Sequence, residues 1–127
     1  MKQTIIYPFL PPTLNEIIKT ARTHKQASAK EKKKWTDNVA LESMKLDSYE
    51  ESMVWVTFEW KIANWARDPD NIASAAKFIF DGLKEAGIIK DDSLKYIGSP
   101  VVHYYTKVKR EEESCIVTLD SEPYKQI

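Results

Sequence analysis

Residues 54–62 read VWVTFEWKI, and every second position is large and apolar. Val54, Val56, Phe58, Trp60 and Ile62 alternate with Trp55, Thr57, Glu59 and Lys61. Successive side chains of an extended chain point to opposite faces, so this run reads as a strand with one face on a core. A strand of this length requires partners on its flanks and a second layer over its apolar face. The next residues supply that layer. Asp68-Pro69 is an N-cap followed by proline at the first helical position, and Asp70 sits where the helix dipole favours a negative charge. Ile72, Ala76, Ile79, Leu83 and Ala86 recur at helical spacing and face the core, and Gly87 suits the C′ position that ends a helix. The spacing predicts one helix of roughly 27 Å.

The remaining elements are read in the same way. Residues 3–7 suit a first strand, followed by an extended loop that Pro11 and Pro12 stiffen. Residues 17–27 are polar and basic with no clear period. Ser28 and Glu31 have capping-box spacing, which predicts a helix from Ala29 to near Asp47. Trp35, Val39 and Leu46 share one face of it, interrupted by Glu42. Residues 100–110 and 114–120 read as two strands of a hairpin, with Glu111, Glu112 and Glu113 as its loop. No repeat, low-complexity segment or linker divides the 127 residues, so a single domain over 1–127 is expected.

Composition excludes several classes. Hydrophobic residues make up 43%, too many for a disordered chain. No apolar run approaches the roughly 18–20 residues that span a bilayer. The N-terminus reaches Pro8 and then charge too soon for a secretory signal. Cys115, the single cysteine, cannot make an internal disulfide and reads as a core residue; a reducing, cytoplasmic setting is the default. His24 and His103 are too isolated to argue for zinc. Asp68-x-Asp70-Asn71 lacks the glycine and distal glutamate of a calcium loop. The net charge is zero, yet the charges segregate. Lys19, Arg22, Lys25, Lys30, Lys32, Lys33 and Lys34 are opposed only by Glu31, whereas acids gather over 68–92. The basic run is either a solvated helix face or a set of phosphate contacts.

Two pairs of carboxylates therefore bracket one helix: Asp68 and Asp70 before it, Asp91 and Asp92 after it. One reading is structural. Asp68 caps, Asp70 answers the dipole, Lys77 and Asp81 form an i,i+4 pair, and Asp91-Asp92 mark a turn, each contributing about 1 kcal/mol or less. The other reading makes the pairs two halves of a metal site. About five returning residues cannot retrace the helix, so one subunit joins the pairs only if the helix is short or sharply folded.

The ordered set Arg67-Asp68-Pro69-Asp70-Asn71, Lys77, Asp81, Ala86-Gly87 and Asp91-Asp92 resembles the RusA family of Holliday junction resolvases, endodeoxyribonucleases of bacteria and their prophages. The first strand, Pro11-Pro12 and Asn15 add to the likeness, and the Trp35–Ala40 region adds less. The resemblance covers much of the chain and is specific over 67–92. It implies an α+β fold, a small mixed sheet of about four to five strands packed with two main helices. It implies a homodimer and a cytoplasmic, bacterial or phage-encoded enzyme. It implies catalytic Asp68, Asp70 and Asp92, a metal set of these with Asp91, and Mg2+ as cofactor with Mn2+ as a substitute. The family's lysine matches Lys77 counted back from Asp81, whereas counted forward from Asp70 that place falls to Ser74, as if the helix carried about one extra turn.

Magnesium takes oxygen ligands and keeps several waters, so two or three carboxylates plus a phosphate suffice. Such carboxylates repel DNA, and Lys30, Lys32, Lys33, Lys34, Arg67 and Asn71 are the expected DNA contacts, with Lys107, Lys109 and Arg110 as further basic residues. The implied substrate is four-way junction or branched DNA, with no membrane partner. Alternatives are a non-catalytic DNA-binding or phage assembly protein on the same fold, and a structure-specific nuclease of broader range. Trp55, Trp60, Trp65, Tyr104 and Tyr105 are either base-stacking platforms or core.

Overall fold

The computed structural model describes residues 1–23 and 25–123. In chain order the elements are β1 (Lys2–Tyr7), α1 (Leu14–Thr23), α2 (Lys25–Ser43), β2 (Trp55–Ile62), α3 (Pro69–Ala73), α4 (Ala76–Glu85), β3 (Val102–Lys107), a 3-10 turn (Arg110–Glu112) and β4 (Ser114–Asp120). The architecture is α+β, with one mixed four-stranded sheet ordered β1-β4-β2-β3. This matches the expected small mixed sheet packed with helices.

The strand predicted at 54–62 holds a central place. Val56, Phe58, Trp60 and Ile62 are buried on the helical side of the sheet. β2 pairs antiparallel with β4 and parallel with β3, so that Glu59 lies between Ile116 and Tyr104. The expected hairpin between 100–110 and 114–120 therefore does not form. β2, with one face fully apolar, takes the inner position where both edges of its ladder are paired. The chain reaches β3 through a helical crossover, which returns it parallel. Glu111 and Glu112 fall in the 3-10 turn that carries the chain past β2, and Glu113 accepts a hydrogen bond from the Ala63 amide at 2.9 Å.

The predicted helix over 69–86 is broken into α3 and α4 at Ser74-Ala75. Ser74 Oγ donates to the Asn71 carbonyl and accepts from the Leu14 amide. Across the break the backbone tightens to i−3 bonds, as from Ala75 to Ile72 at 3.1 Å and from Phe78 to Ala75 at 3.1 Å. A serine that bonds back to its own helix bends it, and here the bend also holds the start of α1. The apolar stripe survives the bend: Ile72, Ala76, Ile79 and Leu83 are buried, and Ala86 packs against them. The end of α4 is as predicted. Gly87 has φ +75°, its amide bonds to Lys84 at 3.0 Å, and the Ile88 amide reaches Leu83 at 2.9 Å. This is the Schellman arrangement, with Ile88 and Leu83 both in the core.

α2 begins earlier than expected, at Lys25, and Ser28 lies buried inside it with no hydrogen-bond partner for its hydroxyl among the described residues. An N-cap forms instead at Thr13, whose Oγ1 accepts from the Glu16 amide and donates to Glu16 Oε1 at 3.2 Å. Much of the aperiodic stretch 17–27 is thus helical, anchored by buried Ile17. The inward face of α2 runs through Val39 and Ser43, with Leu46 packing from the turn beyond the helix. Ser43 is polar and yet fully buried. Its hydroxyl donates to the Val39 carbonyl at 2.6 Å and meets Tyr7 Oη at 2.7 Å.

Candidate acidic site at the carboxyl end of the parallel strands

β2 and β3 run parallel and end together, with Ile62 opposite Lys107. The loop leaving β2 delivers Asp68 and Asp70 to the start of α3. Asp68 occupies the N-cap position in extended conformation, but its side chain makes no capping bond. Asp68 and Asp70 are both exposed, and neither enters a salt bridge among the described residues. The carboxylates are thus held by backbone geometry while their oxygens face solvent.

Three neighbours fix this segment. Tyr105 donates its hydroxyl to the Pro69 carbonyl at 2.9 Å. Burial pushes that phenol's pKa up, and the nearby charge of Asp70 adds to the effect. Arg67, expected on DNA, directs its guanidinium to Glu16 at 3.5 Å, tying the loop to α1. Asn71 is half-buried, with its carbonyl engaged by Ser74. A groove of about 240 Å³ opens beside the segment, lined by Ile62, Asn64, Trp65, Arg67, Ile72 and Tyr105 among others. Trp65 is 54% exposed at this groove, unlike Trp60, which is fully buried in the core.

The second pair sits elsewhere. Asp91 and Asp92 follow the end of α4, and Lys84 Nζ lies 3.6 Å from a carboxylate oxygen of each. The Lys84 ammonium is held above its ordinary pKa, by Asp92 first and also by Asp91 and Asp81. Asp91 is held below the usual carboxylate range, chiefly by the Asp92 backbone amide, with Lys84 contributing less. Lys77 pairs with Asp81 at 3.3 Å, one helical turn on. Among the described residues no group of three His, Cys, Asp or Glu side chains converges in a way that could hold a metal. The subunit keeps Asp68 and Asp70 as one pair and Asp91 and Asp92 as another. The break at Ser74-Ala75 removes the single long helix that the reach argument assumed, yet the short return after Gly87 still leaves Asp91 and Asp92 beside Lys84 in the last turn of α4.

The donor chemistry of the first pair still fits a hard cation. Asp68 and Asp70 offer oxygen alone, uncommitted to any cation of the described chain, and magnesium needs only one or two protein carboxylates when waters and a phosphate complete its octahedron. The basic residues divide. Lys30 and Lys32 are exposed on α2, Lys33 pairs with Asp37 at 3.0 Å, and Lys34 lies 5.6 Å from the Trp35 ring centre. Lys107, Lys109 and Arg110 are exposed where β3 ends, at the same end of the sheet as Asp68 and Asp70.

His103 belongs to the sheet. Its Nδ1 accepts from Trp60 Nε1 at 2.9 Å and its ring stacks on Phe58. His24 lies outside the described residues. Cys115 is fully buried, and burial pushes its thiol pKa up, so it is an unreactive core residue as expected. Sequence reasoning missed Glu16, Lys84, the part Ser74 plays in breaking the helix and the buttressing role of Tyr105. Only Glu16 had a legible signal, the Thr-x-x-Glu spacing at 13–16. No protein-family model matches the chain and no curated protein matches it, so the RusA resemblance stands on the residues of 67–92 themselves.

Proposed function

We propose that this chain is a magnesium-dependent endodeoxyribonuclease that resolves four-way DNA junctions by paired nicks, with Mn2+ able to replace Mg2+. The observation that carries the reading is the pair Asp68 and Asp70. Both are exposed at the carboxyl end of two parallel strands, and neither makes a capping bond or a salt bridge among the described residues. Stability alone asks for one carboxylate with its capping bond made; here two are presented and that bond is not. The order of residues over 67–92 gives the reading its substrate, through the resemblance to RusA resolvases.

In this reading Asp68 and Asp70 hold the metal, which when bound polarises the scissile phosphodiester and lowers the pKa of a bound water. Arg67 and Tyr105 position the pair, through Glu16 and the Pro69 carbonyl. Lys107, Lys109 and Arg110 offset the repulsion between carboxylates and phosphates. A two-fold homodimer presents two such sites to the two-fold related strands of a junction, and Asp91 or Asp92 of one subunit can complete the site of the other.

A second reading, a non-catalytic DNA-binding protein on this fold, draws on the ion pairs of Lys84 with Asp91 and Asp92 and of Lys77 with Asp81. Cleavage of a labelled synthetic four-way junction separates the two. Magnesium-dependent paired nicks, abolished in Asp70→Asn while junction binding persists, support the nuclease. Binding without cutting in Mg2+ or Mn2+ selects the second reading.

A further inference from the structure

The tryptophans sit in different surroundings, and the core does not use one of them. Trp60 is fully buried in the sheet, Trp35 packs its ring against Phe9, and Trp55 lies against Gly98. Trp65 is 54% exposed in the loop after β2 and makes no ring contact among the described residues. The loop nevertheless fixes its backbone. The Asn64 side-chain oxygen accepts from the Ala66 amide at 3.1 Å, and the Asn64 carbonyl accepts from the Arg67 amide at 3.4 Å. Trp65 forms one wall of the groove, with Ile62, Pro69, Ile72 and Tyr105 around it. At about 240 Å³ the groove is smaller than the roughly 300–1,000 Å³ of ordinary cofactor clefts, so it suits one flat ring rather than a whole cofactor.

The charges beside the groove identify the ring. The Val108 amide donates to the Ile62 carbonyl at 3.1 Å, which seats Lys107 and Lys109, on either side of Val108, next to the groove wall. Lys107, Lys109 and Arg110 are exposed and enter no ion pair among the described residues. Lys107 also shares a sheet face with Tyr105, two residues before it. An apolar slot with an exposed indole and uncommitted cations beside it is complementary to a nucleotide, a flat ring joined to phosphates. A purely apolar occupant would leave those cations unused. Pro69 joins the slot to the acidic pair, since it lines the groove between Asp68 and Asp70.

We propose that this groove binds one unpaired nucleobase of the DNA, stacked on Trp65, and that Trp65 is a specificity-determining residue that selects strands with an unpaired base beside the phosphate to be cut. The inference rests on the DNA-cleaving reading above and deepens it. Lys107 and Lys109 meet the flanking phosphates. Asn64 keeps its amide NH2 as a donor for the base edge, because its oxygen is engaged by Ala66. Every base has a π face, so the groove selects unpaired structure rather than sequence. Extracting a base from a duplex costs least where pairing is already interrupted, so the slot favours branched DNA over intact duplex.

The test compares two labelled single strands of equal length, oligodeoxythymidylate and the same backbone built from abasic sites. Binding to the full chain is read by fluorescence anisotropy in EDTA at low salt. Both strands meet the same carboxylates and lysines, so the ratio of their affinities isolates the base. Wild type is expected to prefer the thymidylate strand about tenfold, the scale of one base stacked on an aromatic ring. Trp65→Ala should bind both strands alike, at the wild-type affinity for the abasic strand, and Trp65→Phe should keep most of the preference. Lys107→Ala should weaken both strands by the same factor and lower the salt slope by about 0.7. A preference that survives in Trp65→Ala overturns the proposal, as does a wild type that shows no preference or binds neither strand. Circular dichroism checks that each variant is folded. Junction cleavage in Mg2+ is assayed separately. A chain that prefers the base through Trp65 but nicks no junction retains this inference and loses the nuclease reading, and a nicking wild type without the preference does the reverse.

Discussion

Gly82 lies against Val39 so closely that a Cβ built on the glycine would overlap the Val39 side chain and stand 3.0 Å from the Ala40 amide nitrogen. This contact joins α4 to α2 and brings the two main helices together over the sheet. In a helix interior glycine is normally a liability of roughly 0.5–1 kcal/mol relative to alanine. Gly82→Ala is nevertheless expected to lower stability by about 1–3 kcal/mol, because the overlap involves Val39 Cβ, which cannot rotate away. Urea unfolding followed by tryptophan fluorescence measures this. Adding Val39→Ala should recover part of the loss, and a stabilised Gly82→Ala would refute the packing argument.

The Tyr7–Ser43 hydrogen bond carries a second prediction. Both groups are buried, and burial pushes the Tyr7 phenol pKa up, so it stays a neutral hydroxyl. Ser43→Ala leaves the Tyr7 hydroxyl without this partner in the core and should cost about 1–3 kcal/mol. Tyr7→Phe should cost less, because Ser43 keeps its bond to Val39. Equal effects of the two substitutions would argue that the pair is not coupled.

A pH effect follows from His103. Burial lowers its pKa below the ordinary 6.5, and its Nδ1 is occupied as an acceptor for Trp60. The unfolded chain therefore binds the proton at higher pH than the folded one. Stability is full above about pH 6.5 and declines as pH falls below it, because the unfolded state takes up more protons there. Urea midpoints from pH 7.5 to 5 should drop on the acid side, and His103→Gln should flatten that part of the profile. A slope unchanged by the substitution would assign the effect to other groups.

At the candidate site, Asp70→Asn is expected to lower magnesium-dependent nicking by about a hundredfold or more, with melting temperature little changed, since Asp70 makes no salt bridge among the described residues. Lys77→Ala removes only an exposed i,i+4 pair and should shift stability by less than about 0.5 kcal/mol. Its effect on cleavage reads directly whether Lys77 or the Ser74 position corresponds to the family's lysine.

Thr13→Ala tests the cap that sequence reading placed elsewhere. It removes the acceptor of the Glu16 amide and frees the carboxylate that holds Arg67. A loss of about 1 kcal/mol is expected, and a larger loss of junction affinity than of stability would tie the cap to the site.

The sequence by itself determined the local elements whose signals are short in range. The alternation of 54–62, the Asp68-Pro69 start, the stripe from Ile72 to Leu83 and the Gly87 stop each depend on neighbours within a turn or a strand, and each is where the residues said. Tertiary structure decided the rest. Strand order is a long-range choice, so nothing local revealed that β2 would lie between β3 and β4. The break at Ser74 depends on the Leu14 amide, which lies 60 residues away in sequence. Ser43 became a core residue only because Tyr7 meets it, and Arg67 turned inward only because Glu16 does the same. The separation of the two acidic pairs has the same origin. The family resemblance suggested one site, but even with the helix broken at Ser74-Ala75 the four carboxylates do not converge among the described residues, and Asp91 and Asp92 lie beside Lys84 on the last turn of α4.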